Sequence, residues 1–318
     1  MLPRRRLIAA AAAAVVLVPT AAHAGAGTGK GEGGGRALPS TIPLPAGFQP
    51  EGIEARGGRF YAGSRATGQI VVGNVKGGPT RELVPAQTAA PSALGLRLDR
   101  KDRLFVAGGR TGTVSVYRAR TGKLLYRSPA VPGPAFVNDV ALLRDRAVFT
   151  DSATQRLVVV PIGRKGKGLG EAKVVPITGS LAYDADPATN EANGIVAARD
   201  GRHVLVVNSR TGELHRVDPR TGVSTLVPVT GGPLTNGDGL LRSGNTLLAV
   251  QNRLNKVAVL RLGRGDASAT VRRTITDSQF DVPTTLAVAK GRLFTVNARF
   301  TTTPAADTAY DVVRIDGK

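Results

Sequence analysis

The sequence predicts an all-β fold, a six-bladed β-propeller with four-stranded antiparallel blades. A group of short strand-like segments repeats six times, with spacings of 43, 44, 55, 45 and 46 residues between successive first residues. No stretch keeps the apolar i, i+3, i+4, i+7 stripe of a helix without interruption by Gly or Pro. One four-stranded sheet cannot bury both of its faces, so neighbouring repeats must cover each other in a ring. A β-sandwich or solenoid is the alternative, but neither predicts six such repeats.

Residues 1–24 are predicted to form a secretory signal peptide. Three arginines at 4–6 precede an apolar run over 7–18, and Ala-His-Ala follows at 22–24. The apolar run is too short for a convincing membrane span, so we expect cleavage after Ala24 and no stable membrane span. The protein is then secreted or extracytoplasmic, in a bacterial cell envelope. An uncleaved anchor is the alternative.

The Gly-rich residues 25–39 are predicted to form a flexible tether, which leaves residues 40–318 for the propeller. Each repeat opens with a short apolar strand, and its second and third strands follow across polar turns. The sixth repeat ends after its third strand at Ile315, whereas STIPLP at 40–45 belongs to no repeat. We therefore predict that residues 40–45 supply the outer strand of the last blade and close the ring.

The chain has a formal charge of +20, and 40 basic against 23 acidic residues remain once the three signal arginines are removed. This excess favours anionic partners such as an envelope polymer or an anionic substrate, or it serves solubility. Nucleic acid is not an expected partner, because aromatic residues make up 4% of the chain and no nucleic-acid-binding motif is present. The absence of cysteine excludes thiolate metal sites, thiol nucleophiles and disulfides.

Four of the six repeats begin with a carboxylate or carboxamide side chain, in QPEGIEA, FVNDVAL, EANGIVA and TNGDGLL. The first strand of each propeller blade lines the central channel, so these residues are expected to form a ring at one mouth. Two carboxylates and two carboxamides suit a divalent cation, and Ca²⁺ is the expected one. The alternative is that Asn-Gly and Asp-Gly mark ordinary hairpin turns. The six first residues are Glu51, Leu94, Asn138, Asn193, Asp238 and Thr284.

Zinc is not expected, because the chain after residue 24 contains two histidines, His203 and His215, in predicted outer strands. No G-x-S-x-G motif supports a serine nucleophile. The turns between second and third strands carry arginine at the same position in five blades. These arginines either rim the mouth and steer anionic or carbonyl-rich substrates, or they are solvated turn residues. They are Arg65, Arg110, Arg210, Arg253 and Arg299.

The motifs QPEGI, FVNDVALLRDRAVFTDS, NGIVAARDGRHVLVVNS and NGDGLL resemble the blade-entry motifs of the senescence marker protein/gluconolactonase/regucalcin-like family. The resemblance covers nearly all of residues 40–316. It implies a six-bladed propeller that holds one divalent cation through Glu51, Asn138, Asn193 and Asp238. It also implies that Asp238 is the general base of lactone hydrolysis, while the metal polarises the ester carbonyl.

One departure from the family pattern affects the substrate. Sugar-lactone hydrolases of this family have Arg two residues before the Asn of the NDV-like motif, where this chain has Phe136. A gluconolactone-like substrate is therefore not expected. The candidate substrate-binding residues are Phe136, Glu191, Arg110 and Arg210.

The first functional hypothesis is an exported, Ca²⁺-dependent hydrolase of a lactone or related ester. The alternative is a non-catalytic extracytoplasmic propeller that binds an anionic envelope polymer or a protein, because many propellers only bind. We expect a monomer in either case.

Overall fold

The computed structural model describes residues 37–87, 92–163, 166, 168–184 and 190–316. They belong to one compact unit, Ala37–Lys318. The predicted signal peptide and tether residues 25–36 lie outside the described residues. Within the described part of the chain, no helix is long and apolar enough to cross a membrane.

The predicted six-bladed propeller is confirmed by six sheets. Strand β1 (Thr41–Pro43) precedes blade 1, which comprises β2 (Pro50–Arg56), β3 (Arg59–Ser64), β4 (Ile70–Asn74) and β5 (Arg81–Val84). Blade 2 comprises β6 (Leu96–Leu98), β7 (Arg103–Ala107), β8 (Val114–Arg118) and β9 (Leu124–Arg127). Blade 3 comprises β10 (Val137–Leu142), β11 (Arg146–Asp151), β12 (Arg156–Pro161) and β13 (Lys173–Pro176).

Blade 4 comprises β14 (Thr178–Gly179), β15 (Ala192–Ala197), β16 (Val204–Asn208), β17 (Leu214–Val217) and β18 (Val223–Val227). Blade 5 comprises β19 (Val229–Thr230), β20 (Gly237–Ser243), β21 (Thr246–Gln251), β22 (Lys256–Leu262) and β23 (Ala269–Thr276). Blade 6 comprises β24 (Pro283–Ala289), β25 (Arg292–Asn297), β26 (Asp311–Ile315) and β1. Short 3-10 turns at Asn252–Leu254 and Arg264–Asp266 flank β22.

The ring closes through the N-terminal strand, as predicted. Strand β1 pairs antiparallel with β26, with Ile42 opposite Val312. The Ile42 side chain is 1% exposed and joins the apolar cluster between blades 6 and 1. Leu38 packs against the same cluster, so the contacts of the propeller begin within the segment predicted to be a tether.

Two blades contain a fifth strand that the four-stranded prediction lacks. Strand β14 pairs parallel with β18, and β19 pairs parallel with β23. In both cases the segment that leaves one blade runs along the outer edge of the next blade before entering its inner strand. The added strand covers backbone groups that would otherwise form an open sheet edge.

The core is divided among the spaces between blades. Six apolar clusters among the described residues each combine side chains from two adjacent blades. Phenylalanines on the second strands of blades 1, 2, 3 and 6 are fully buried in them, namely Phe60, Phe105, Phe149 and Phe294. Burial between blades explains why a single repeat cannot fold alone and why the ring must close.

The inner strands of five blades share an irregular register near their first residues. In blade 4 the register shifts between Ala192 and Ile195, so Asn193 and Gly194 lie in the irregularity. In blade 5 the shift between Gly237 and Leu240 includes Asp238. Bulges of this kind redirect side chains. The hairpin-turn alternative is therefore wrong for Asn193-Gly194 and Asp238-Gly239, which lie inside inner strands. Asn236-Gly237 does mark a turn, since Asn236 has a φ of 57° directly before β20.

Glycines beside the ring residues allow the inner strands to converge on the axis. A Cβ atom on Gly194 would lie 2.0 Å from the Asp238 carbonyl oxygen, and one on Gly52 would lie 2.1 Å from the Leu94 carbonyl oxygen. No side chain fits at such separations. The Gly that follows Glu51 or Asn193 is thus required by the close approach of the next blade.

Candidate functional site

The four predicted ligand residues line one cavity of about 700 Å³, here called the channel cavity. Glu51, Asn138, Asn193 and Asp238 begin the inner strands of blades 1, 3, 4 and 5. Leu94 from blade 2 also lines the cavity. In blade 6, Thr284 instead donates a hydrogen bond to the Glu51 carbonyl oxygen at 2.5 Å, which ties the last blade to the first. The four polar residues are called the oxygen ring below.

All four ring side chains are buried, at 2–6% exposure. Neither Glu51 Oε2 nor Asn193 Oδ1 has a hydrogen-bond partner among the described residues. Asn138 donates from Nδ2 to Ser152 Oγ at 2.9 Å, and Asn252 donates from Nδ2 to Asp238 Oδ2 at 2.7 Å. The ring therefore combines oriented side chains with buried oxygens that lack a donor, an arrangement that is costly without a ligand.

This oxygen set fits a hard divalent cation. Ca²⁺ binds carboxylate and carboxamide oxygens in mixed sets. The described residues contain no group of three or more His, Cys, Asp or Glu side chains placed to hold a metal ion. A cation at the oxygen ring would therefore depend on the carboxamide oxygens of Asn138 and Asn193 as well as on the two carboxylates.

Burial shifts the protonation of the ring carboxyls. Burial raises the pKa of Asp238 to about 7, although the hydrogen bond from Asn252 opposes the rise. Burial, followed by the charges of Asp238 and Asp139, raises the pKa of Glu51 well above its ordinary value, and Arg65 opposes this. Because a raised carboxyl pKa favours the protonated folded state, ionising Asp238 costs stability as pH rises from its ordinary 3.8 toward 7. A bound cation would offset this cost.

Asp139 is a buried carboxylate beside the oxygen ring that sequence reasoning missed. It accepts hydrogen bonds from the backbone amides of Val140 at 2.7 Å and Ile195 at 3.1 Å, and so links blades 3 and 4. Burial raises its pKa, while Arg97 and these amides lower it. Its position directly after Asn138 in the NDV motif was the available signal.

Arg97 crosses the channel deeper than the oxygen ring. From β6 in blade 2, its Nη2 donates to the Leu240 carbonyl oxygen of blade 5 at 3.1 Å, and blades 2 and 5 stand opposite each other in a six-membered ring. Its Nη1 lies 4.0 Å from Glu54 Oε2. The guanidinium thus spans the channel beneath the ring and offsets the buried acids there.

Four of the five predicted rim arginines line the channel cavity, namely Arg65, Arg110, Arg210 and Arg253. The fifth, Arg299, pairs with Asp281 at 2.7 Å and with Asp311 at 3.2 Å. His215 is fully buried in β17, His203 lies 2.6 Å from Asp200, and neither is among the residues that line the channel cavity.

Two rim arginines stack on phenylalanines. The Arg110 guanidinium lies 5.3 Å from the centre of the Phe136 ring, and that of Arg65 lies 5.2 Å from the centre of the Phe300 ring. Both phenylalanines line the channel cavity. Phe136 was a sequence candidate, whereas Phe300 was missed because it lies in a long loop outside the repeat.

Glu191 lies behind the rim and holds Arg210. Its Oε1 accepts from Arg210 Nε at 2.7 Å, and its Oε2 accepts from Asn208 Nδ2 at 2.8 Å. The side chain of Glu191 is 1% exposed. In this arrangement Glu191 positions the guanidinium of Arg210, which itself faces the cavity.

Comparisons with known proteins bear on the fold. No family model and no curated protein matches the chain. It is similar to the major Malassezia sympodialis allergen Mala s 1, with 18% identity, a TM-score of 0.66, and coverage of 88% of this chain and 97% of that chain. It is also similar to virginiamycin B lyase from Staphylococcus aureus, with 11% identity, a TM-score of 0.54, and coverage of 86% of this chain and 98% of that chain. A protein from Lactobacillus plantarum is similar with 16% identity, a TM-score of 0.55, and coverage of 78% of this chain and 77% of that chain. Identities this low show a shared propeller fold alone.

Proposed function

We propose that this protein is an exported, metal-dependent hydrolase of a lactone or related ester, and a divergent relative of the family that its motifs resemble. The oxygen ring carries this proposal. Its four residues come from four blades, line one cavity, and include two buried oxygens without a donor among the described residues. The shared fold with a lyase is compatible with an enzyme but says nothing about the substrate.

Glu51, Asn138, Asn193 and Asp238 would hold the cation. When bound, it supplies Lewis-acid polarisation of the ester carbonyl and a more acidic water. Asp238 is the candidate general base, because its carboxylate faces the cavity and Asn252 fixes its orientation. Burial raises the pKa of Asp238 to about 7 without a cation, and a bound cation would lower that pKa and favour the carboxylate form that accepts a proton.

Hydrolysis then proceeds by attack of water on the acyl carbon. The water oxygen forms a bond to that carbon while Asp238 accepts its proton. The bond between the acyl carbon and the ester oxygen breaks, and its electron pair stays on the leaving oxygen. Asp238 returns the proton to that oxygen, so a lactone yields a hydroxy acid and no further reactant is consumed.

A substrate panel with chelator tests this function. Purified protein in CaCl₂ should hydrolyse at least one member of a panel of γ-lactones, δ-lactones and aryl esters above the buffer rate. EGTA should abolish this turnover, and excess Ca²⁺ should restore it. Turnover that is insensitive to EGTA, or no turnover on any member with calcium present, would contradict the proposal.

A second candidate function, binding of an anionic envelope polymer, is favoured by the distribution of charge. The inner strands begin at the channel cavity and run away from it, so the loops after first and third strands lie at the opposite end. Exposed basic residues outnumber exposed acids at that end, where the exposed acids are Asp145, Glu171, Asp200 and Asp316. The exposed arginines in the loops at the cavity end are accompanied by Asp184, Glu213 and Asp307. The exposed basic residues at the opposite end include Arg56, Arg59, Lys76, Arg100, Lys101, Arg120, Lys123, Arg144, Arg199, Arg202, Arg220, Arg264, Lys290 and Arg292.

Binding to immobilised poly(glycerol phosphate) across a salt series tests the second candidate. Affinity should fall steeply with salt, because contacts between exposed charges are screened. Replacing both Arg100 and Lys101 by Ser should weaken binding, whereas Arg210→Gln at the other end should not. Binding that is independent of salt, or equally sensitive to Arg210, would count against it.

A further inference from the structure

The two stacked arginines occupy neighbouring parts of the cavity rim. Arg65 follows β3 of blade 1, and Phe300 follows β25 of blade 6. Arg110 follows β7 of blade 2, and Phe136 directly precedes β10 of blade 3. Because blades 6, 1, 2 and 3 are consecutive, the two pairs form one arc in which two neighbouring guanidinium groups are flanked by aromatic rings. The name rim arc is used for these four residues.

The positive charges of the rim arc have no carboxylate partner among the described residues. Arg210 pairs with Glu191, and Arg299 pairs with Asp281 and Asp311. By contrast, no carboxylate of the described residues lies within 4.0 Å of the Arg65 or Arg110 guanidinium. Arg210 and Arg299 are thus neutralised locally, whereas the two arginines of the rim arc, like Arg253 of blade 5, are available to an anion.

Arg65 provides the second indication of a ligand. Its Nε is buried and has no acceptor among the described residues. A buried guanidinium N–H without an acceptor is costly, and a guanidinium binds a carboxylate through two parallel hydrogen bonds. The charge of Arg65 also lowers the pKa of Glu51, which places this guanidinium beside the oxygen ring. An anion bound by Arg65 would lie next to the reacting centre.

The phenylalanines of the rim arc favour a ligand that also has an apolar part. Each ring carries a guanidinium on one face and also lines the channel cavity, so it offers apolar surface to a ligand. Stacking also orients both guanidiniums before a ligand arrives, which lowers the entropic cost of binding. At about 700 Å³ the cavity has room for a molecule with both a charged and an aromatic part.

We propose that the rim arc selects organic anions that carry a planar apolar group. The anionic group, a carboxylate in the simplest case, binds Arg65 and Arg110, and the apolar group packs against Phe136 and Phe300. The inference rests on the proposed function in one respect: it assigns the hydrolysed substrate to carboxylate-bearing aromatic or unsaturated lactones and esters. Binding of the anion itself requires no hydrolysis.

Calorimetric titration with a matched set of ligands tests this selection. In calcium buffer, 3-phenylpropanoate should bind at least about tenfold more tightly than 3-phenylpropanol, which lacks the charge, or propanoate, which lacks the ring. Arg65→Gln should weaken 3-phenylpropanoate about tenfold and leave 3-phenylpropanol unchanged. Arg110→Gln should also weaken binding of 3-phenylpropanoate. Because Arg110 is exposed, its replacement should not unfold the protein, so unfolding would not explain weaker binding.

The control variant is Arg144→Gln, which removes the same charge from an exposed loop between β10 and β11 at the other end of the ring. It should leave binding of all three ligands unchanged. Equal affinity for 3-phenylpropanoate and 3-phenylpropanol would overturn the inference. So would unchanged binding in both the Arg65 and the Arg110 variant, or equal weakening by Arg144→Gln.

Anion binding at the rim arc and hydrolysis at Asp238 can be tested independently of each other. Asp238→Asn should lower hydrolysis by at least about 10²-fold but retain selective binding of 3-phenylpropanoate. Hydrolysis that depends on Asp238 without any preference for anions would overturn the inference alone. Selective anion binding without turnover of any ester would overturn the proposed function alone.

Discussion

Asp238→Asn is expected to lower kcat/KM for lactone or ester hydrolysis by about 10²–10⁴-fold, the usual contribution of a general base. The amide keeps the shape of the side chain and an oxygen that faces the cavity, but it cannot accept the proton of the attacking water. The rate is measured on the best substrate of the panel, at a calcium concentration shown by titration to saturate the variant.

The matched control is Asp307→Asn, which replaces an exposed carboxylate in the long loop of blade 6. This variant should hydrolyse at the wild-type rate. If Asp238→Asn kept more than about a tenth of wild-type activity at saturating calcium, Asp238 would not be the base. A deficit that disappears entirely when calcium is raised would assign Asp238 to cation binding alone.

The blade order and the closing strand were predictable from the sequence because they depend on local patterns. Apolar alternation and turn residues recur at a fixed period, so each strand and its place in a blade follow from the chain itself. Strand β1 was predictable because the sixth repeat lacks a fourth strand. The short strands β14 and β19 were not predictable, because two residues leave no alternation to detect.

The oxygen ring was predictable for the same reason. Glu51, Asn138, Asn193 and Asp238 occupy one register position, and equivalent positions in a closed ring converge on its axis. Residues at the same position in successive repeats therefore lie close together in space. The repeat predicts where each side chain lies but not its hydrogen bonds, such as the one that Asp238 Oδ2 accepts from Asn252.

Contacts between distant blades were not predictable. Arg97 reaches the Leu240 carbonyl across the channel, and nothing local in LGLRL distinguishes it from a solvated strand arginine. The Arg65–Phe300 pair joins residues that are far apart in sequence. Five arginines occupy the same position in their repeats, yet Arg299 forms ion pairs with two aspartates of its own blade, because those acids lie close to it.

Calcium is expected to raise the free energy of unfolding of the wild-type protein by about 4 kcal/mol at a concentration 1,000 times its Kd. Glu51→Gln should lose most of this gain. In EGTA at pH 8, however, Glu51→Gln should be at least as stable as the wild type. Removing one buried carboxylate relieves the desolvation and repulsion that raise the pKa of Glu51. The measurement is urea unfolding with and without Ca²⁺.

The control is Glu171→Gln, which neutralises an exposed carboxylate between β12 and β13. Its stability should respond to calcium as that of the wild type does. If Glu51→Gln unfolded more readily than the wild type in EGTA, the two buried carboxylates would not be in conflict, and the argument for a cation at the ring would fail.

The central claim is that Glu51, Asn138, Asn193 and Asp238 together bind one divalent cation, and calorimetric titration with CaCl₂ tests it most directly. The wild-type protein should bind about one Ca²⁺ per chain, as expected for a single oxygen ring. Glu51→Gln should weaken this binding by at least about tenfold, because one of two charged ligands is lost, and Glu171→Gln should leave it unchanged. A wild-type titration without saturable binding, or one unaffected by Glu51→Gln, would contradict the account.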